Sequence, residues 1–136
     1  MNLEMINKTK YKTPKKELEG ILKSFFLAFK KYKNKKISLA LVSLTEIKKI
    51  NNSCRKKNIA TDVLSFLLEE DDCWGEIIIC PEVAKRQAQE NKMSFKQEMQ
   101  ELFLHGLLHL AGFDHIKEED KKIMIKAEKR VKKYLD

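Results

Sequence analysis

The stretch HGLLHLAGFDH, residues 105–115, holds all three histidines of a 136-residue chain, and its spacing constrains the fold around it more than any other feature. His105 and His109 stand one helical turn apart, so their imidazoles project from the same face and can converge on one ion. Gly112 follows three residues after His109. A residue free to take positive φ ends the helix there and turns the chain, which lets His115 fold back to the other two. The pattern predicts a three-histidine metal site on a helix and the following turn, with an open fourth position as in catalytic rather than closed structural zinc sites. A lone histidine on a helix is ordinarily core or surface, and a pair at i, i+4 is ambiguous; the third, after a glycine turn, tips the reading to metal.

The remaining chain reads as helices alternating with strands, without repeats or low-complexity linkers. Thr13 and Pro14 offer an N-cap and a first helical position, after which Leu18, Ile21, Leu22, Phe25, Phe29 and Tyr32 recur at helical spacing. ISLALV, 37–42, reads as a strand. Ser43 and Glu46 form a capping box that opens a short helix with Ile47, Ile50 and Cys54 inward, closed by the basic run at 55–57. DVLSFLL, 62–68, and WGEIIIC, 74–80, are strands separated by the acidic turn EEDD and fit a hairpin. Pro81 starts a helix to about Asn91. Ser94 with Gln97 caps the histidine helix, which Gly112 stops. A last amphipathic helix covers about 117–135, with Ile123, Ala127, Val131 and Leu135 inward. The expected product is a single α+β domain over 1–136, a small mixed sheet covered by helices.

Charge narrows the function classes. The chain carries 28 Lys plus Arg against 20 Asp plus Glu, a net +8, which favours association with a polyanion through counterion release, though a lysine-rich surface can also reflect compositional bias. The start of the chain lacks an apolar export core and a small-residue cleavage site, and no apolar run approaches the roughly 18 residues of a membrane span. A cytoplasmic location without membrane association is expected. Cys54, Cys73 and Cys80 are odd in number and form no CxxC pair, which fits reduced thiols rather than disulfides or zinc ligands.

The histidine spacing also matches the H-x3-H-x5-H of metzincin peptidases, but those carry a glutamate general base directly after the first histidine. Here that position is Gly106, and a peptidase would have to recruit another carboxylate such as Glu101 or Asp114. Phosphodiester cleavage asks instead for a Lewis acid and positive charge to stabilise an anionic transition state, which a basic chain can supply.

HGLLHLAGFDH resembles the H-G-x-L-H-L-x-G-[YF]-D-H signature of the YbeY family of bacterial endoribonucleases and rRNA maturation factors. INNSCRKKNIATDVLSF is similar to the family segment in which an arginine precedes a T-D-V-L-S-F strand, and GEIIICPEVAKRQA to its G-D-I-x-I-x strand and following helix. The resemblance spans roughly residues 37–135. It implies a metal-dependent, single-strand-specific endoribonuclease that processes the 3′ end of small-subunit rRNA and takes part in ribosome quality control, with RNA and ribosomes or their precursor particles as partners. It also implies His105, His109 and His115 as metal ligands and Arg55 as the catalytic arginine; the three-imidazole pattern itself points to one Zn2+ per chain, and the basic cluster Arg55, Lys56 and Lys57 is expected to bind substrate. Cys54, Asn58, Ala60 and Glu76 depart from the family's usual aromatic, Asp, Pro and Asp.

From the residues themselves, Arg55 is either a surface arginine at a helix end or a guanidinium that grips phosphate bidentately. Asp62 either orients Arg55 or a histidine, or caps its loop. Asp114 supports the third histidine or the start of the last helix. Phe113 and Trp74 stack on bases or belong to the core. The tracts KKYKNKK and KRVKK are solvated faces with modest, sequence-independent contributions to RNA affinity. Two other functions stay open beside the nuclease: an RNA-binding assembly factor with a mainly structural zinc, and a zinc peptidase.

Overall fold

The computed structural model describes residues 2–55, 62–70, 73–113 and 117–135. Strands β1 (Leu3–Asn7) and β2 (Ile37–Leu41) are each followed by a helix, α1 (Lys15–Ala28) and α2 (Leu44–Arg55); strands β3 (Val63–Glu70) and β4 (Cys73–Ile79) then follow one another, and helices α3 (Pro81–Glu90), α4 (Phe95–Leu110) and α5 (Glu118–Lys132) complete the chain. They form one four-stranded sheet in the order β1-β2-β4-β3. β1, β2 and β4 run parallel, and β3 pairs antiparallel with β4 as the expected hairpin. The α+β expectation with a mixed sheet holds.

Strand alternation distributes the core over two faces. Ile37, Leu39 and Leu41 of β2 and Ile77 and Ile79 of β4 belong to the larger cluster, packed with Leu18, Ile21, Phe25, Phe103, Leu107 and Val131 from α1, α4 and α5. Leu64 and Ile78 join the smaller cluster with Ile47 of α2. Three helices thus cover one face of the sheet and α2 covers the other. Trp74 is buried and stacks on Tyr32 at 4.5 Å between ring centroids, so of its two readings the structure selects core. Phe113 likewise packs on Phe29 at 5.7 Å.

The helix that carries the histidines is fixed at both ends and along its length. Ser94 Oγ accepts from the backbone N–H of Gln97 at 3.1 Å while Gln97 Oε1 accepts from the backbone N–H of Ser94 at 3.0 Å, a complete capping box. At the far end Gly112 has φ 97° and turns the chain. Between them α4 lies so close to the sheet that a Cβ on Gly106 would sit 2.9 Å from Ile77 Cγ2 and 3.1 Å from Ser65 Oγ, and Ser65 Oγ donates to the Gly106 carbonyl at 3.1 Å. One turn on, Leu110 fills the space left by Gly75, whose own Cβ would meet it at 2.7 Å.

This contact carries a prediction. Gly106→Ala gains up to about 1 kcal/mol of helix propensity but overpacks a β-branched, fully buried Ile77, which typically costs about 1–3 kcal/mol. The variant should melt several degrees lower. An unchanged or raised melting temperature would show that α4 can ride up from the sheet without penalty.

Several local expectations need correction. Residue 14, not 13, is the N-cap of α1, with no side-chain cap bond; the Thr13 hydroxyl instead accepts from Asn7 Nδ2 at 3.0 Å. α1 stops at Ala28, and Phe29 and Tyr32 fall in and beside a 3-10 turn at Lys30–Tyr32, although both still pack on the core. Glu46 receives only half of its capping box: its N–H donates to Ser43 Oγ at 3.1 Å while its carboxylate pairs with Lys8 Nζ at 3.3 Å. In α5 the buried stripe is Met124, Ala127 and Val131; Ile123 is 52% exposed. Among the described residues no helix is long and apolar enough to cross a membrane.

Candidate metal centre

His105 and His109 project from α4 one turn apart, both half-buried among fully buried neighbours such as Leu104, Leu107 and Leu108. The capping box and the Gly106 contact set the rotation of α4, and that rotation brings the two imidazoles to the protein's rim rather than into the sheet. His115, the third expected ligand, lies outside the described residues, as do Lys56, Lys57, Asn58, Ala60 and Asp114. Arg55 is the last residue of α2; its backbone is described and its side chain is not.

The structure adds partners that the sequence did not single out. Glu128 of α5 places Oε1 3.2 Å from His105 Nε2, and Glu101, one turn before His105, pairs with Lys132 Nζ at 2.7 Å. One donor atom from each of Glu101, His105 and Glu128 falls within 4.8 Å of the others, so a group able to hold a metal ion is present. Imidazole nitrogen and carboxylate oxygen suit zinc and other divalent ions. Glu101 stands four residues before His105, and that i−4 spacing is the signal that would have found it. No such signal marks Glu128, because on an isolated helix it looks like part of a solvated face.

His105 opens on a cleft of about 470 Å3 that Asp62, Gln87, Glu98, Glu101 and Lys132 also line. With its amide oriented to satisfy both acids, Gln87 donates to Asp62 Oδ2 at 3.0 Å and to Glu98 Oε2 at 3.1 Å. Burial raises the Glu98 carboxyl above its ordinary 4.5, the nearby charges of Asp62 and Glu101 raise it further, and His105 opposes them. A raised folded-state value means that protonation favours the fold. The contribution is fully present below pH 4.5 and is lost as pH rises through the folded-state value. Glu98→Gln should therefore raise the melting temperature of the metal-free protein at pH 7–8 and change it little at pH 4. An equal shift at both pH values would mean that packing, not charge, is responsible.

The two described thiols, Cys73 and Cys80, are not among the grouped metal donors; the Cys54 side chain lies outside the described residues. Cys80 is buried, and desolvation raises its pKa above 9.0, which makes it unreactive. Cys73 is half-buried, and its Sγ contacts the carbonyl of Gly75 at 3.2 Å.

Gly106 bears directly on the peptidase alternative. The residue after the first histidine faces Ile77 and Ser65 of the sheet with no room for even a methyl group, so a general-base glutamate cannot occupy that position in this packing.

Comparison with known proteins bears on the family. A family model described as Endoribonuclease YbeY matches residues 2–136. Endoribonuclease YbeY of Thermotoga petrophila is 41% identical over 122 residues, covering 90% of this chain and 76% of that protein. Its counterpart in Staphylococcus carnosus is 44% identical over 105 residues, covering 70% and 69%. The solution structure of TM1509 from Thermotoga maritima superposes with a TM-score of 0.64 at 33% identity, covering 97% of this chain and 88% of that one. The match takes in β1 and α1 as well as the histidine segment, and on sequence and fold together the chain belongs to the YbeY endoribonuclease family.

Proposed function

We propose that this protein is a metal-dependent endoribonuclease that cuts single-stranded RNA in the cytoplasm, acting on the 3′ end of small-subunit rRNA and in ribosome quality control, with ribosomes or their precursor particles as partners. In this reading His105, His109 and His115 hold one Zn2+ per chain, Arg55 grips the scissile phosphate, and Lys56 and Lys57 add charge for substrate binding. The observation that carries it is the pair His105 and His109, one turn apart and both half-buried, the first of them lining a cleft, on a helix that leaves through Gly112 at φ 97°. Bound zinc would supply a Lewis acid at the phosphoryl group.

The chain's own residues do the rest. The Glu128 carboxylate, 3.2 Å from His105 Nε2, holds the orientation of the ring. Lys132 neutralises Glu101 and reduces the repulsion a phosphate would meet on approach. A planar guanidinium at position 55 can meet two phosphate oxygens at once and stabilise charge that develops on them. The His105 side chain keeps 37% of its surface exposed beside an open cleft, which favours a substrate-accessible centre over a closed structural zinc. The test is cleavage of one sequence presented as single strand and as duplex, with a peptide substrate beside it. Cleavage of the single strand alone is the expected result; peptide hydrolysis, or no RNA cleavage in the presence of zinc, would overturn the reading.

A further inference from the structure

Two clefts of similar size flank α5, and their charges are opposite. The one beside His105 is lined by Asp62, Glu90, Glu98 and Glu101 against Lys132. The other, of about 480 Å3, lies where the end of α1 and the 3-10 turn meet the end of α5; Lys30, Lys31, Arg130, Phe29, Tyr134 and Leu27 line it, and no carboxylate does among the described residues. An acidic cleft suits a cation and repels a phosphodiester chain, so a nucleic-acid strand reaching the metal centre needs its anchorage elsewhere.

We propose that the basic cleft binds the single-stranded RNA flanking the cleaved bond, with Lys30, Lys31 and Arg130 on phosphates and Tyr134 as a stacking face. This rests on the endoribonuclease reading and names where that substrate's flank lies. The Arg130 guanidinium sits 4.8 Å from the centroid of the Phe29 ring, a cation–π seat that orients the planar group while leaving its edge donors for two phosphate oxygens. Lys31 lies over Tyr32 at 5.1 Å. None of the three cations forms a salt bridge among the described residues, so none has to give up a carboxylate partner to meet a phosphate. Tyr134 is 48% exposed, and an exposed ring beside cations accepts any base on its face.

The cleft also joins the metal centre structurally. Its Phe29 packs on Phe113 at 5.7 Å, and the Tyr32 hydroxyl donates to the Ala111 carbonyl at 3.4 Å. Ala111 to Phe113 is the turn directly after His109. The turn that follows α4 is thus packed against residues that line or adjoin the basic cleft.

The experiment measures binding and cleavage of a labelled single-stranded 12-mer by wild type and by a Lys30→Ala, Lys31→Ala, Arg130→Ala triple variant. Binding is read with chelator present, across a salt series. Three lost phosphate contacts on a single strand should weaken binding about tenfold and make the slope of log affinity against log salt shallower by about 2. In cleavage, KM should rise with kcat unchanged. A Lys30→Ala, Lys31→Ala pair, which keeps Arg130 on Phe29, should show about two-thirds of the slope change and guards against a folding defect. Equal 12-mer affinity and salt slope in wild type and variants would overturn the proposal. So would an equal loss for a 12-base-pair duplex, which would mark a general polyanion patch, or intact RNA binding with lost association to ribosomal precursor particles, which would assign the cleft to a protein. A wild type that binds the 12-mer through this cleft but never cuts it would sink the nuclease reading and leave the cleft's RNA contact standing.

Discussion

His109→Ala is expected to release the metal on dialysis and to lose RNA cleavage down to background. Three imidazoles with an open position make a tight site, whereas two leave an ion that exchanges readily. Zinc should fall from about one per chain to near zero after dialysis. The fold should survive, because His109 is half-buried and the ends of α4 are held independently by Ser94, Gln97 and Gly112; truncation at such a position costs on the order of 1 kcal/mol. Metal analysis after dialysis, with a melting curve, checks this. Full retention of zinc by the variant would remove His109 from the ligand set.

Arg55→Ala should separate catalysis from metal binding. If the guanidinium stabilises charge on the phosphate while the histidines hold the ion, zinc content should not change and cleavage should fall by about two to three orders of magnitude, the effect of removing one preorganised charge-stabilising donor. Stability should shift by no more than about 1 kcal/mol, since Arg55 is the terminal residue of α2 and its contribution there is that of a cation at a helix C-terminus. Arg55→Lys should fall between the two, because lysine restores charge but not the planar fork. Near-normal cleavage by Arg55→Ala would take the residue out of the mechanism, and loss of zinc or of melting temperature would make its role structural.

How much of this was legible in the chain depended on how local the physics was. The capping box of α4, the stop at Gly112 and the β3–β4 hairpin rest on contacts within a few residues, and they were readable. β1 was not. In LEMIN only Leu3 is buried, the strand lies at the sheet edge, and its pairing partner is β2, more than thirty residues away. In α5, Ala127 and Val131 face inward as expected and only Ile123 does not, for a related reason: Ile123 and Met124 are both apolar, and only packing against α1 and α4 decides that Met124 turns inward.

At the site, His105 and His109 announced themselves by spacing. The Glu128 contact with His105 depends on α5 docking beside α4, and no spacing in the sequence encodes that. Gly106 showed the opposite situation. From sequence it was a missing glutamate; in the fold it is a point of close approach between α4 and the sheet, so one residue both helps set the histidines' position and leaves no space for the metzincin glutamate.

If a histidine-held metal drives RNA cleavage, the two must move together when metal content and single-stranded RNA cleavage are measured on one preparation while chelator is titrated in and zinc is then returned. About one zinc per chain is expected at the start, with cleavage falling in step with the metal removed and recovering when zinc is restored. Undiminished cleavage by protein stripped of metal would contradict it.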